Sequence, residues 1–177
     1  MAFTQMEARS DGSGRPTYNI DRAVGYGAPC NRTDTMLVQA LFHIFFYEQE
    51  GCFTANHAES GYYFTPPAGY SSIAIDGYIG PATRSHIAAF QQGLAQLGHL
   101  NRVDHRLDPM RESVYKRSTI TRVHYTLAWL NVTCANRAHQ QGQKPAYDNL
   151  GQREDMPMQL RNALKTRKQL ADQYRFR

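Results

Sequence analysis

A Gly-Pro pair followed by a four-three apolar repeat constrains this chain more than any other feature. Gly80-Pro81 opens a helix, because proline at the first helical position lacks an N–H that would have no partner there anyway. Thr83, Ile87, Phe90, Leu94 and Leu97 recur at intervals of four, three, four and three, which places them on one face. Gly98 supplies the stop. Upstream, Asp76-Gly77 reads as a tight turn, with Asp bonding its own following backbone and Gly free to take positive φ. Gln91 is an amide at the margin of the apolar face.

The same periodicity predicts other helices. The first runs from about Asp34 to Gln49, capped by Asn31 or Thr33, with Asp34 at the positive end of the dipole. Leu37, Leu41, Ile44 and Glu48 share its face, and Val38 and Phe45 widen it. Phe42, Phe46 and Tyr47 fall outside that stripe, so the helix is either buried on several sides or meets another chain. A third helix is predicted over Thr119 to Asn136, with Ile120, Val123, Leu127, Leu130 and Cys134 inward. A last one runs from Pro157 to about Tyr174, with Asp155 as cap and Leu160, Leu164, Ala171 and Tyr174 on one face.

No stretch reads as a convincing strand, and no internal repeat stands out. The polar residues 1–17, with Asp11-Gly12-Ser13-Gly14 and Pro16, read as an extended arm. Residues 50–72 form a long loop rich in Gly, Pro and aromatics, a type of connection that usually serves function or an interface. The expected architecture is all-α: a three-helix bundle with a long aromatic loop, an extended N-terminal arm and an extra C-terminal helix. The expected segments are an arm over 1–19, a domain over 20–136, and a linker with a basic helix over 137–177.

Composition narrows the classes. A chain of 177 residues that is 41% hydrophobic can bury its own core and is not of disordered type. The apolar run Phe42–Tyr47, broken by His43, is far short of the roughly 20 residues of a membrane span. The first residues lack a basic stretch followed by an apolar one, so no signal peptide is expected and synthesis is placed in the cytoplasm. Cys30, Cys52 and Cys134 are odd in number and widely spaced, which favours half-buried or buried thiols over a disulfide scaffold. Of the net charge of +5, four units fall within Gln152–Arg177, where seven Lys and Arg face three acids. That modest charge argues against a nucleic-acid partner.

The segment Asp76-Gly77-Tyr78-Ile79-Gly80-Pro81-Ala82-Thr83 through Ile87, Phe90 and Gln91 resembles the signature of the peptidoglycan-binding-domain-like family, roughly DGxxGPxTxxAIxxFQ. Val24-Gly25-Tyr26-Gly27, Asn31, Asp34, Leu37-Val38-Gln39 and Leu41 are similar to the first-helix motif of that family, GxxxxxxDVxxVQxLL. Leu107-Asp108-Pro109 and the Tyr125–Asn131 stretch resemble its third helix. The resemblance covers about residues 20–136. His86 stands where the family has Ala, Thr35 where it has Val and Phe42 where it has Leu, and residues 50–72 are an insertion. The resemblance implies a non-catalytic three-helix module, of a kind attached to cell-wall hydrolases and found in phage and secreted proteins.

The chemistry-bearing residues also have plainer roles. His99, Asp104, His105 and Asp108 gather nitrogen and oxygen donors within ten residues, but their spacing matches no zinc pattern. Glu48, Glu50 and Glu59 are carboxylates with nothing to pair them, and Cys52 with His57 lacks an activating context. The chain is therefore read as no enzyme, with no metal and no cofactor. Turn chemistry accounts for Asp76, and core packing for Thr83, Ile87 and Phe90. The candidate contacts to a glycan or partner are Tyr62, Tyr63, Phe64 and Tyr70 in the loop, with Asp76, Tyr78 and Arg84 around the turn. The loop aromatics suit sugar stacking, a protein interface or packing onto their own domain. Peptidoglycan is the expected ligand. Other subunits of an assembly are expected along residues 1–17, 50–72 and 153–177. The expected role is a component of a phage tail, baseplate or related injection assembly that contacts the wall. The alternative is a purely structural virion protein that binds no glycan.

Overall fold

The computed structural model describes residues 1–8, 14–48, 64–111, 124–140 and 147–165. Helix α1 spans Arg32–His43, and the Asn31 side chain caps it by accepting the Thr33 N–H at 3.1 Å. Every residue from Asp34 to Phe42 is buried, so of the two readings of its excess apolar girth, burial on several sides holds. The helix continues as a π turn over Ile44–Glu48, so the 3.6-residue spacing that placed Glu48 on the inward stripe does not hold there.

Helix α2 spans Pro81–Gln96 with Gly80 as its cap residue. It closes at Gly98, where the Gly98 N–H donates to Ala95 O and the His99 N–H to Leu94 O. Thr83, Ile87, Phe90 and Leu94 are buried as the spacing predicts. Helix α3 spans Thr126–Gln140, with Leu127, Leu130 and Cys134 inward, while the expected Thr119 start with Ile120 and Val123 lies outside the described residues. Helix α4 spans only Met158–Leu164, because Lys165 is already extended. The predicted continuation to Tyr174 lies outside the described residues, and Pro157 rather than Asp155 occupies the cap position.

The all-α expectation is overturned by two small antiparallel sheets. Strands β1 (Phe3–Ala8) and β2 (Gly14–Asn19) form a hairpin running in register from Phe3↔Asn19 to Ala8↔Gly14. Strands β3 (Val24–Gly25) and β4 (Arg106–Leu107) make a two-residue ladder. The predicted extended arm is thus a hairpin that packs on its own chain. Ala2, Tyr18 and Ile20 belong to the core, and the Thr4 hydroxyl donates to Leu164 O at 2.7 Å. The alternation rule failed here because Thr17, Tyr18 and Asn19 are all buried, polar and apolar alike. The Tyr18 hydroxyl and the Asn19 amide find partners inside the fold, so the polar-out pattern of a half-solvated strand does not arise.

The core centres on Phe45 and Phe90, whose centroids lie 5.1 Å apart, with Phe42 and Phe64 against them. The 147–164 segment closes the far side. Arg153 forks onto both oxygens of Glu48 at the end of the π turn and also bonds Asp155. Of the cysteines, Cys134 is buried and its thiol donates to Leu41 O, while Cys30 is exposed. Cys52 lies outside the described residues.

Candidate binding surface

The Asp76-Gly77 turn is held from α1. The Gln39 side chain is buried, and its Nε2 donates to Asp76 Oδ1 at 2.9 Å, Thr83 Oγ1 at 3.0 Å and Tyr78 O at 3.1 Å. Its Oε1 accepts the Gly77 N–H at 2.8 Å. Asp76 Oδ1 also takes the Tyr78 N–H at 2.9 Å, the bond expected of an Asx turn. Burial acts to raise the Asp76 pKa, but the hydrogen bonds from the Tyr78 N–H and the Gln39 amide outweigh it, so the carboxyl titrates below its ordinary range. Gly77 has φ +78°, and a Cβ there would sit 2.5 Å from Arg32 Cγ and 2.8 Å from Arg32 O. Only glycine fits, on both counts.

The turn leaves Asp76 and Tyr78 exposed to solvent, and among the described residues the Tyr78 ring makes no hydrogen bond. Tyr78 is 64% exposed, and the exposed Arg32 sets its guanidinium 5.1 Å from the centroid of the Tyr78 ring. Arg84 is exposed on α2, where its N–H closes the first turn on Gly80 O.

The same device recurs at the end of α2. Gln91, also buried, donates from Nε2 to Asp104 Oδ1 at 2.7 Å and to Arg106 O at 2.8 Å, and accepts the His105 N–H at 2.7 Å. Asp104 Oδ1 takes the Arg106 N–H at 3.0 Å. Gln91, Asp104, His105 and Arg106 therefore repeat, bond for bond, what Gln39, Asp76, Gly77 and Tyr78 do. His105 even shares the left-handed backbone of Gly77, at φ +59°, and is the one non-glycine with positive φ among the described residues. The chain thus holds a structural repeat that the sequence reading did not detect. Its Gln-to-Asp spacings differ, 37 residues against 13, and a His replaces the telltale Gly.

A second feature is centred on His86 in α2. His86 is fully buried, ringed by Phe42, Phe46, Tyr47 and Tyr70. Its Nδ1 lies 2.7 Å from Ala82 O, and a carbonyl only accepts, so Nδ1 carries the proton. Nε2 is then the acceptor for the Tyr47 hydroxyl at 2.7 Å. Burial lowers the His86 pKa, and the bond to Ala82 opposes that only in part. A lowered pKa means the folded state binds fewer protons than the unfolded chain. Stability from this group is complete above the ordinary imidazole value of about 6.5 and falls as pH drops below it. The urea midpoint is expected to decline between about pH 6.5 and 5, and to decline less steeply in His86→Gln. Parallel pH slopes for the two proteins would show that His86 is not the titrating group.

The sequence-derived contacts separate in space. Phe64 is not at the surface: it is 3% exposed and stacks on Phe90 with centroids 5.2 Å apart. Tyr70 is half-buried against His86. Asp76 holds the turn, while Tyr78 and Arg84 face solvent. Tyr62 and Tyr63 lie outside the described residues. Sequence reasoning missed Arg32, which meets Tyr78 only through the fold, and the locking roles of Gln39 and Gln91. Among the described residues no group of three or more His, Cys, Asp and Glu is placed to hold a metal ion, and no helix is long and apolar enough to cross a membrane.

No protein-family profile, no curated protein and no solved structure matches the chain.

Proposed function

We propose that the chain is a non-catalytic binding module with a peptidoglycan-binding-domain-like helical core. It works in a phage tail, baseplate or related injection assembly that contacts the bacterial cell wall. The observation that supports this reading is the junction at Gln39. The first-helix motif and the Asp-Gly…Gly-Pro motif, far apart in sequence, meet through one amide that freezes the turn. An exposed Tyr78 on a frozen turn loses little freedom when it meets a ligand, so more of the contact energy remains for binding. Arg32 and Arg84 add hydrogen-bond donors and positive charge beside it.

The test is retention of the purified chain on insoluble peptidoglycan sacculi at low salt and at about 0.5 M salt, where exposed charges are screened. Retention is expected at both, with loss in Tyr78→Ala and in the Tyr62→Ala/Tyr63→Ala double variant. Retention at low salt alone would mark charge adsorption by the basic 153–177 segment. That result would turn the reading to a structural assembly protein that uses its fold for subunit contacts.

A further inference from the structure

Strand β1 has one neighbour. Among the described residues it pairs with β2 alone, without a bulge, from Phe3↔Asn19 to Ala8↔Gly14. Tyr18 fixes the phase of that ladder. Its N–H and its C=O both go to the Asn131 side chain on α3, away from β1. In an antiparallel pair, the residue opposite such a position also turns its polar backbone groups outward. That residue is Thr4, and Met6 and Ala8 follow it at the period of two. Pro16, opposite Met6, has no N–H to lose there, which agrees with the same phase.

The two edges of the hairpin are finished differently. Asn131 and Pro16 close the edge of β2. At the start of β1, the Ala2 N–H is tied to Thr33 Oγ1 at 3.4 Å. Beyond it, the outward N–H and C=O of Thr4 and Met6 have no backbone partner among the described residues. The stretch Phe3–Ala8 also lacks the devices that keep natural edges from pairing, having no Pro, no Lys and no bulge. Met6, at its middle, is 60% exposed.

We propose that β1 pairs edge to edge with β1 of a second copy, joining the two hairpins into one four-stranded antiparallel sheet. Self-complementarity selects a second copy as the occupant. A two-fold axis perpendicular to the sheet makes the two strands antiparallel and closes the assembly at a dimer. With the axis at Met6, outward residues meet outward residues: Met6 faces its own counterpart, and Thr4 faces Ala8 of the other copy. Gln5 then stands opposite Glu7, an amide donor beside a carboxylate, and no like charges are opposed. A two-stranded ribbon is marginal by itself and gains from further strands. The pairing rests on the assembly part of the proposed function for its setting, while its geometry uses none of the Tyr78 surface.

The experiment is sedimentation equilibrium of the full chain over a concentration series, joined to amide hydrogen exchange. A reversible monomer–dimer equilibrium is expected. The Thr4 and Met6 amides are expected to gain protection as the dimer forms, whereas those of Phe3 and Gln5, bonded within the hairpin, are protected at every concentration. Met6→Pro removes only an outward N–H, so it leaves the hairpin bonds in place and is expected to weaken dimerisation about a hundredfold. Met6→Lys sets like charges opposite each other across the axis and is expected to weaken it about fivefold, less so in high salt. This second variant carries the test if the proline chain fails to fold. A wild-type chain that stays monomeric up to about 1 mM overturns the proposal. So does a dimer that survives both substitutions, or protection at Thr4 and Met6 that ignores concentration, which would mean that the edge is covered within one chain. A monomer retained by sacculi loses the pairing and keeps the wall reading. A dimer that sacculi do not retain keeps the pairing and loses the wall reading.

Discussion

Deleting residues 1–19 is expected to abolish cooperative folding and not merely to trim an arm. The hairpin enters the core through a buried polar network centred on Asn131. Its Oδ1 accepts the Tyr18 N–H at 2.9 Å, and its Nδ2 donates to Tyr18 O at 2.9 Å and Leu127 O at 2.8 Å. The amide thus pairs with Tyr18 as a neighbouring strand would. The Tyr147 hydroxyl donates to the same Oδ1 at 2.5 Å, and the Tyr18 hydroxyl donates to Tyr147 O and accepts the Leu150 N–H. Burial pushes both tyrosine hydroxyls well above their ordinary pKa, so they stay protonated across the working range. Nearby, Asn19 accepts the Met110 N–H and donates to Met110 O. Removing the hairpin leaves Asn131, the Leu150 N–H and the Met110 backbone without these partners. Each orphaned buried group costs about 1–3 kcal/mol. Losing the buried Tyr18 ring adds about 3–5 kcal/mol, by analogy with other large aromatics. The sum reaches the whole 5–15 kcal/mol by which a domain is usually stable. The measurement is a thermal melt followed by near-ultraviolet circular dichroism. A sharp transition near that of the full chain would show that the hairpin is an accessory. The point variant Asn131→Leu, expected to cost about 3 kcal/mol in urea denaturation, tests the same network with the chain intact.

What could be read from the sequence was local chemistry. Asn31 caps α1, Pro81 starts α2, Gly98 stops it and Asp76-Gly77 turns, because each acts within about four residues of itself. What could not be read depends on partners far along the chain. Thr17 and Asn19 look like solvent-facing polar residues until the fold buries them, which is how a hairpin passed for an arm. Phe64 looks like a recognition residue because it follows an aromatic, Gly-rich stretch. Its true place is set by Gly93, where an added Cβ would lie 2.5 Å from the Phe64 ring, so the missing side chain makes the slot. The π turn at Ile44–Glu48 leaves no periodic trace in so apolar a run, yet it directs Tyr47 to His86 and Glu48 to Arg153. The candidate surface shows the same division. Tyr78 was legible from the turn beside it, whereas Arg32 required the helices to be packed first.

Gln39→Leu is expected to be the most damaging single substitution at the candidate surface. Leucine is one atom shorter than glutamine but similar in bulk, so the change tests the hydrogen bonds more than the volume. Without the amide, the buried Gly77 N–H has no acceptor and Thr83 Oγ1 loses a donor. Asp76 loses the Gln39 bond that helps hold its pKa down. The expected loss is about 3–4 kcal/mol, from the desolvation cost of two or three orphaned groups. A depressed folded pKa stabilises above the ordinary carboxylate value of about 3.9 and loses that effect as pH falls through the folded value. The difference between wild type and Gln39→Leu should therefore narrow in acid, as Asp76 becomes protonated in both. Urea denaturation at neutral pH and near pH 3 measures both quantities. Gln91→Leu gives the internal comparison, because the second turn uses the same bonds around Asp104. If the two locks are equivalent, the variants lose similar stability, and sacculus retention falls with Gln39→Leu. A Gln39→Leu protein within about 0.5 kcal/mol of wild type would show that the turn holds its shape without the amide. The rigid presentation of Tyr78 would then have to be traced to Gly77 packed against Arg32.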